Sequence, residues 1–301
     1  MTTLLFCFVM TIPSEPLAAG DHTRALRLDD RTREYLVHVP EAAAGTPRPV
    51  VLIFHGGGST AKVMVTFSGL NEKSDEAGFI AVYPHGTGRV ERAKTFNGGN
   101  CCGYAQRQGV DDVKFVAALL DDLATVIHYD KQRVYATGMS NGAIMSYRLA
   151  SELSDRIAAI APVAGPMGTE TCRPTRAVPV CHFHGTDDEF APFAGGRGKR
   201  SLTQTNFYSV DHSIKAWVKA NGCRATPRIT KLAPAHDDGT RVTRTEYAGN
   251  GKGAEVVLYT IEGGGHTWPG QPGTFRFLGT TTRNISANDV MWEFFQRHSL
   301  E

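Results

Sequence analysis

An α/β fold, a mostly parallel sheet covered by helices, is predicted by three features of this sequence. Short β-branched runs alternate with longer amphipathic stretches. Most of the runs are continuously apolar, as strands buried on both faces are. No repeat, low-complexity tract or Pro/Ser-rich linker divides the chain. The predicted strands are Tyr35–Val39, Val50–Phe54, Phe79–Tyr83, Arg133–Thr137, Ala158–Val163, Val178–Phe183, Val242–Tyr247 and Val256–Ile261. Helices are predicted between them. Over Val113–Ile127 the residues Val113, Val116, Leu119, Leu120, Leu123 and Ile127 share one face, with Asp111 or Asp112 as the cap. Ala143–Leu153, Val210–Ala220 and Asn288–His298 carry the same helical spacing.

Composition narrows the function classes. An apolar fraction of 41% and a charged fraction of 21% describe a globular protein rather than a disordered chain or a membrane bundle. With 32 basic against 30 acidic residues, the net charge is +2 and offers no footprint for nucleic acid. Arg197-Gly198-Lys199-Arg200 lies in a Gly-rich stretch and reads as a solvated loop. The apolar run Leu4–Met10, followed by Leu17-Ala18-Ala19-Gly20, is too short to span a bilayer and lacks a basic leader. Residues 1–20 therefore read as an atypical export signal or a disordered start, 21–299 as one catalytic domain, and 300–301 as a cloning scar. Integral membrane association is not expected.

Six cysteines are present, and their spacing matches no zinc site. Adjacent Cys101 and Cys102 are expected not to bond each other, but to find distant partners or stay buried and reduced.

Gly138-Met139-Ser140-Asn141-Gly142 fits G-x-S-x-G. The pattern alone is weak; here a strand runs into it and a helix leaves from it, which predicts a nucleophile elbow and the α/β-hydrolase fold without a separate lid domain. The turn lifts the Ser140 hydroxyl above the sheet, beside a helix N-terminus that favours negative charge. A serine hydroxyl needs a base, and in this fold an acid and then a histidine follow the serine. Among the later histidines, His212 and His298 fall in predicted helices and His236 lies before a strand. His266 follows the strand Val256–Ile261 in the loop Gly263-Gly264-Gly265-His266-Thr267-Trp268-Pro269-Gly270, and is the expected general base. The acid is expected at Asp188, in His184-Gly185-Thr186-Asp187-Asp188 after the preceding strand, with Asp187 as the alternative. It would fix the imidazole tautomer and stabilise the imidazolium.

Ester cleavage passes through a tetrahedral oxyanion that needs N–H donors placed in advance. The Asn141 amide, next to the nucleophile, is one expected donor. The other is Gly57, with Gly58 second, from the loop His55-Gly56-Gly57-Gly58-Ser59. A phosphate-binding reading of these glycines fails, because no Gly-Lys-Ser/Thr follows.

The ordered set HGGGST (His55–Thr60), AGFIAVYPHG (Ala77–Gly86), NCCG (Asn100–Gly103), VDDVKF (Val110–Phe115), GMSNGAIMSYRLA (Gly138–Ala150), APVAG (Ala161–Gly165), HGTDDEFAPF (His184–Phe193) and GGGHTWPG (Gly263–Gly270) resembles the polyhydroxybutyrate depolymerase-like esterases. That group includes feruloyl and acetylxylan esterases, and the resemblance runs from about Tyr35 to Phe295. It implies the triad Ser140, Asp188 and His266, no metal or organic cofactor, and a secreted or periplasmic enzyme acting on polymeric or wall-derived esters. The sequence departs from the family at His85, where an acidic residue is usual, and at Asp187, where a small one is. A second carboxylate beside Asp188 is expected to perturb the Asp–His pair.

Trp268 is expected to line the acyl or alcohol pocket, the alternative being a core residue that braces the His266 loop. Phe193, Phe275 and Phe277 are weaker candidates for the cleft rim. The favoured substrates are short-chain polyesters such as polyhydroxybutyrate or its oligomers. Feruloyl or acetylxylan esters come next, then aromatic polyesters, with peptide hydrolysis disfavoured for want of a gating domain. A non-catalytic binding module is the contrasting class; such proteins lose a catalytic residue, and here all three are present in order.

Overall fold

The computed structural model describes residues 16–41, 47–201, 203–251, 253–273 and 275–300. Along the chain run β1 (Gly20–Leu28), β2 (Arg31–Val39), β3 (Arg48–Phe54), α1 (Ala61–Ser68), α2 (Leu70–Ala77), β4 (Ile80–Pro84), β5 (Thr87–Val90), β6 (Ala93–Thr95), α3 (Gly103–Arg107) and α4 (Asp112–Leu123). Then follow β7 (Tyr129–Met139), α5 (Asn141–Glu152), β8 (Ala159–Val163), β9 (Val180–Gly185), α6 (Val210–Ala220), β10 (Arg228–Lys231), β11 (Arg241–Tyr247), β12 (Val256–Glu262) and α7 (Ala287–Phe295).

Ten strands form one sheet in the order β1-β2-β4-β3-β7-β8-β9-β12-β11-β10. The run β4-β3-β7-β8-β9-β12 is parallel, and antiparallel strands close both edges. All eight predicted strands are present. β1 is not among the predicted strands: its side chains alternate between half-buried and exposed instead of forming an apolar run. β1 is an edge strand and needs no second buried face.

Successive side chains point to opposite faces of a strand, and this sheet is covered on both. Val50, Leu52 and Phe54 of β3 share a core with α4, α5 and α6, whereas Val51 and Ile53 share one with α1, α2 and α7. Asp111 caps α4 by accepting the Lys114 amide at 2.9 Å. The α4 residues Phe115, Val116, Leu119, Leu120 and Leu123 are all fully buried. Each contributes on the order of 1.5–3 kcal/mol by leaving water. Truncating Leu119 to Ala would cost about 2–5 kcal/mol.

Strand order reverses at β3: the chain first steps to β4 on one side, then returns to β7 on the other. The crevice outside the C-terminal ends of strands at such a switch point is the favoured ligand site in open α/β sheets. The loops after β3 and β7 meet there.

Most of segment 1–20 lies outside the described residues, but the Leu17 amide donates to Val126 O at 3.0 Å and Gly20 opens β1. Leu300 packs on the core beside α7, and its amide donates to Gln132 O at 2.8 Å. Cys101 and Cys102 are joined to each other across a cis peptide, against the expectation for neighbours. Among the described residues, Cys172, Cys181 and Cys223 form no disulfide.

Candidate active site

Ser140 has φ 57° and ψ −115°, a backbone region that L-residues rarely enter. Here strand β7 reverses straight into helix α5. The Ser140 amide donates to Val163 O at 2.9 Å, and the Ser140 carbonyl already accepts Ile144 N at 3.0 Å. Close approach to β3 explains the flanking glycines. A Cβ on Gly138 would lie 2.6 Å from the Phe54 carbonyl oxygen, and one on Gly142 would strike the same atom. The half-buried Ser140 keeps its hydroxyl free of hydrogen bonds among the described residues.

Asp188 and His266 reach the same edge of the sheet, from the loops after the neighbouring parallel strands β9 and β12. His266 Nδ1 donates to Asp188 Oδ2 at 2.7 Å, and both residues are buried. Asp188 Oδ1 accepts the Phe190 and Ala191 amides, each at 2.8 Å. Burial pushes the Asp188 carboxyl up, but attraction to His266 and hydrogen bonds from His184 and His266 outweigh it. The group is held well below the usual carboxylate range. His266 Nε2 has no hydrogen-bond partner among the described residues and is left for a proton at the cleft. Asp187 instead points to solvent and accepts the Thr186 hydroxyl at 2.9 Å. It is not among the groups that bear on Asp188.

The glycine loop after β3 packs directly on the elbow. A Cβ on Gly56 would lie 3.7 Å from Ser140 Cβ, and one on Gly57 would lie 3.6 Å from Asn141 Cβ. Gly58 donates its amide to Lys94 O at 2.9 Å. The Gly57 amide has no partner among the described residues, so of the two it is the one available to a ligand. His55, fully buried, orients it: Nδ1 donates to Gly56 O at 2.8 Å, while Nε2 accepts the Gly86 amide at 3.1 Å. Burial pushes the His55 imidazole down to about 3, so this ring is neutral.

The family described as esterase PHB depolymerase matches residues 33–202. A putative esterase, NocK, of Nocardia uniformis subsp. tsuyamanensis is 33% identical and covers 94% of this chain and 85% of its own. The chain belongs to this esterase family. Feruloyl esterase B of Piromyces equi is 29% identical over 78% of the chain, which spans only 42% of that longer relative. The fold is shared with an acetyl xylan esterase from Aspergillus awamori, with a TM-score of 0.61 at 16% identity, over 91% of this chain and 99% of that one. The protein is accordingly a carboxylic ester hydrolase of the α/β-hydrolase fold.

The esterase places Trp268 in its core rather than in the cleft. The indole is 1% exposed, and its N–H donates to Asn288 Oδ1 at 2.8 Å, tying the His266 loop to α7. The alternative reading of this residue, a brace, is the one its position fits. Phe193 sits half-buried with its ring edge-on to His184. Phe275 and Phe277 are exposed. They belong to a row that sequence reasoning did not assemble. Phe190 stacks on His266 with ring centroids 5.0 Å apart, Phe277 lies 6.2 Å from Phe190, Phe275 5.6 Å from Phe277, and Phe67 6.2 Å from Phe275.

Polar side chains also anchor the main chain around these loops. Asn141 clasps the main chain of Phe96, donating to its carbonyl at 2.9 Å and accepting its amide at 2.7 Å. His85 accepts the Ala61 amide at 3.0 Å, so its neutral Nδ1 serves as the acceptor at the start of α1. Arg33 pairs with the fully buried Asp112 at 2.6 Å, and Asp112 also accepts the Asn97 amide at 2.7 Å. No helix among the described residues is long and apolar enough to cross a membrane.

Proposed function

We propose that this esterase cleaves carboxylic esters through an acyl-enzyme on Ser140. The observation that carries the reading is the buried Asp188–His266 hydrogen bond on the sheet edge where Ser140 is held at φ 57°. His266 Nε2 takes the Ser140 proton as Oγ attacks the ester carbonyl. The amides of Gly57 and Asn141 receive the oxyanion, and Asp188 stabilises the imidazolium without taking its proton. The imidazolium then protonates the departing alcohol. Water, deprotonated by the same imidazole, attacks the acyl carbon, and Ser140 leaves with its proton restored. Apo enzymes often hold the serine–imidazole contact loosely until substrate binds, in line with the free Ser140 hydroxyl.

The favoured substrate is a polyester of the polyhydroxybutyrate type, or its oligomers. The aromatic row from Phe190 to Phe67 supports this: it offers an apolar track, longer than a single acyl group needs, that starts at the base. The reading includes export to the periplasm or medium, where a polymer from outside the cell would be met. A second reading, hydrolysis of feruloyl or acetylxylan esters, is favoured by the likeness to feruloyl esterase B. Fluorophosphonate should label the wild type and not Ser140→Ala; an unlabelled wild type defeats the mechanism. Turnover of hydroxybutyrate oligomers, methyl ferulate and acetylated xylan in parallel ranks the substrates. A preference for methyl ferulate overturns the polyester assignment alone.

A further inference from the structure

Behind Asp188 lies a chain of buried polar side chains for which ester cleavage as derived above has no use. His182 and His184 stand two residues apart on β9, so both face the layer that holds α5 and α6. Each is at most 1% exposed. Tyr147 of α5, also fully buried, has its hydroxyl 2.9 Å from His182 Nδ1. His182 Nε2 lies 3.0 Å from His184 Nδ1. His184 Nε2 is 2.7 Å from Ala191 O and 3.4 Å from Asp188 Oδ2.

Both ends of this chain dictate where its protons sit. A carbonyl oxygen only accepts, so His184 Nε2 carries a hydrogen and points it at Ala191 and Asp188. At the other end, His182 is the only partner of the Tyr147 hydroxyl among the described residues, so Tyr147 donates to His182 Nδ1. His182 must then hold its single proton on Nε2 and donate to His184 Nδ1. That nitrogen is thereby occupied as an acceptor, and His184 cannot take a second proton without a clash of two N–H groups. Every bond runs one way, and both rings are neutral.

We infer that Tyr147, His182 and His184 are positioning residues that lock His184 as an uncharged donor to Asp188, so that the carboxylate is held without being neutralised and its charge remains for His266. A cationic His184 at 3.4 Å would compete with the His266 imidazolium for the same oxygen. The titratable groups that face the Asp188 carboxyl are His266, from the loop after β12, and His184, from β9; His182 faces His184 from the same strand. The inference deepens the triad reading and rests on it for its kinetic consequences.

Two measurements test it. In the wild type labelled with nitrogen-15 at histidine, long-range proton–nitrogen correlations should show His182 and His184 as neutral Nε2–H tautomers throughout about pH 5 to 9, a window spanning the ordinary histidine range. Titration of His184 inside that window overturns the inference, whether or not the protein has esterase activity. In kinetics, His184→Gln retains a donor near the Nε2 position and should keep kcat within about threefold. His184→Leu deletes the donor and should lower kcat about 10- to 100-fold with little change in KM, as loss of a hydrogen bond to a charged group does. Its acid limb should also move to higher pH, because a carboxylate relieved of one donor binds the imidazolium more tightly. A folded His184→Leu enzyme with wild-type kcat and pH profile overturns the inference, as does equal damage from both substitutions. An inactive wild type would instead strike the triad reading, and the tautomer measurement would still decide this one.

Discussion

His55 Nδ1 donates to the carbonyl of Gly56 at 2.8 Å, and that bond fixes which way the next amide faces. In a trans peptide the C=O and N–H point in opposite directions, so holding Gly56 O towards His55 turns the Gly57 N–H away from it. Ser59 N grips the same carbonyl at 3.2 Å. Replacing His55 by Ala removes the stronger of the two anchors and leaves the buried Gly86 amide without its acceptor. The expected result is a fall in kcat of about tenfold or more, with KM little changed, since a well-placed oxyanion donor is worth about 10²–10³ in rate. Steady-state kinetics on a soluble ester, alongside a melting curve, checks it. A proportionate rise in KM would mean that ground-state binding was lost instead.

The two neighbouring aspartates make a sharper pair. Asp188→Asn keeps the shape but lets the amide favour the wrong imidazole tautomer, which in serine enzymes costs about 10⁴ in kcat. Asp187→Asn, at an exposed side chain that accepts only the Thr186 hydroxyl among the described residues, should leave kcat within about twofold, as surface substitutions do. Comparable losses from both would reassign the acid.

How much of this was legible in advance follows from what each signal measures. Buried parallel strands announce themselves by apolar runs, so β3, β4, β7, β8, β9 and β12 were found, and with them the loops that carry Ser140, Asp188 and His266. β1 and β10 are exposed edge strands, with little composition to distinguish them from loops. The glycine loop after β3 is legible in the sequence, but only the Lys94 carbonyl bound to Gly58 separates Gly57 from Gly58, and that contact comes from the distant β5–β6 hairpin. The sequence leaves Trp268 open between pocket and brace, because two residues of separation from His266 say nothing about which way an indole turns. His182 and His184 do have a sequence signal: two histidines at alternate positions of an otherwise apolar strand. Buried polar groups of that kind require partners.

Trp268→Phe tests the core placement. It removes the N–H that Asn288 Oδ1 accepts and should destabilise the fold by about 1–3 kcal/mol in urea unfolding. The ratio of kcat/KM between hydroxybutyrate oligomers and methyl ferulate should not change, because a buried brace touches neither substrate. A changed ratio would return the indole to the pocket.

Stability at low pH should report Glu255, whose carboxylate accepts from Arg297 at 2.9 Å and His298 at 3.0 Å. Burial pushes this carboxyl up, but its two partners bring it down to about 2. A carboxyl lowered in the folded state stabilises the fold above its unfolded value of about 4.3, and the contribution is lost as pH falls towards the folded value. The wild type should therefore melt above Glu255→Gln at pH 6, with the gap closing between about pH 4 and 2. A gap that persists unchanged at pH 2 would show that packing, not charge, is what the substitution disturbs.

Phe277 offers the cleanest separation of chemistry from chain binding. It is 53% exposed and packs between Phe190, which touches His266, and Phe275, which touches Phe67. Removing an exposed ring costs the fold little, so Phe277→Ala should melt within a few degrees of the wild type. A short acetate ester ends before the row begins, and its kcat and KM should be unaffected. A hydroxybutyrate oligomer long enough to lie along the row loses one apolar contact of the kind worth about 1–2 kcal/mol, so its KM should rise about 5- to 30-fold at constant kcat. Methyl ferulate reaches only the Phe190 end and should respond weakly. If the oligomer is indifferent to the substitution while methyl ferulate suffers, the row serves an aromatic acyl group, and the polyester assignment fails in favour of the feruloyl reading.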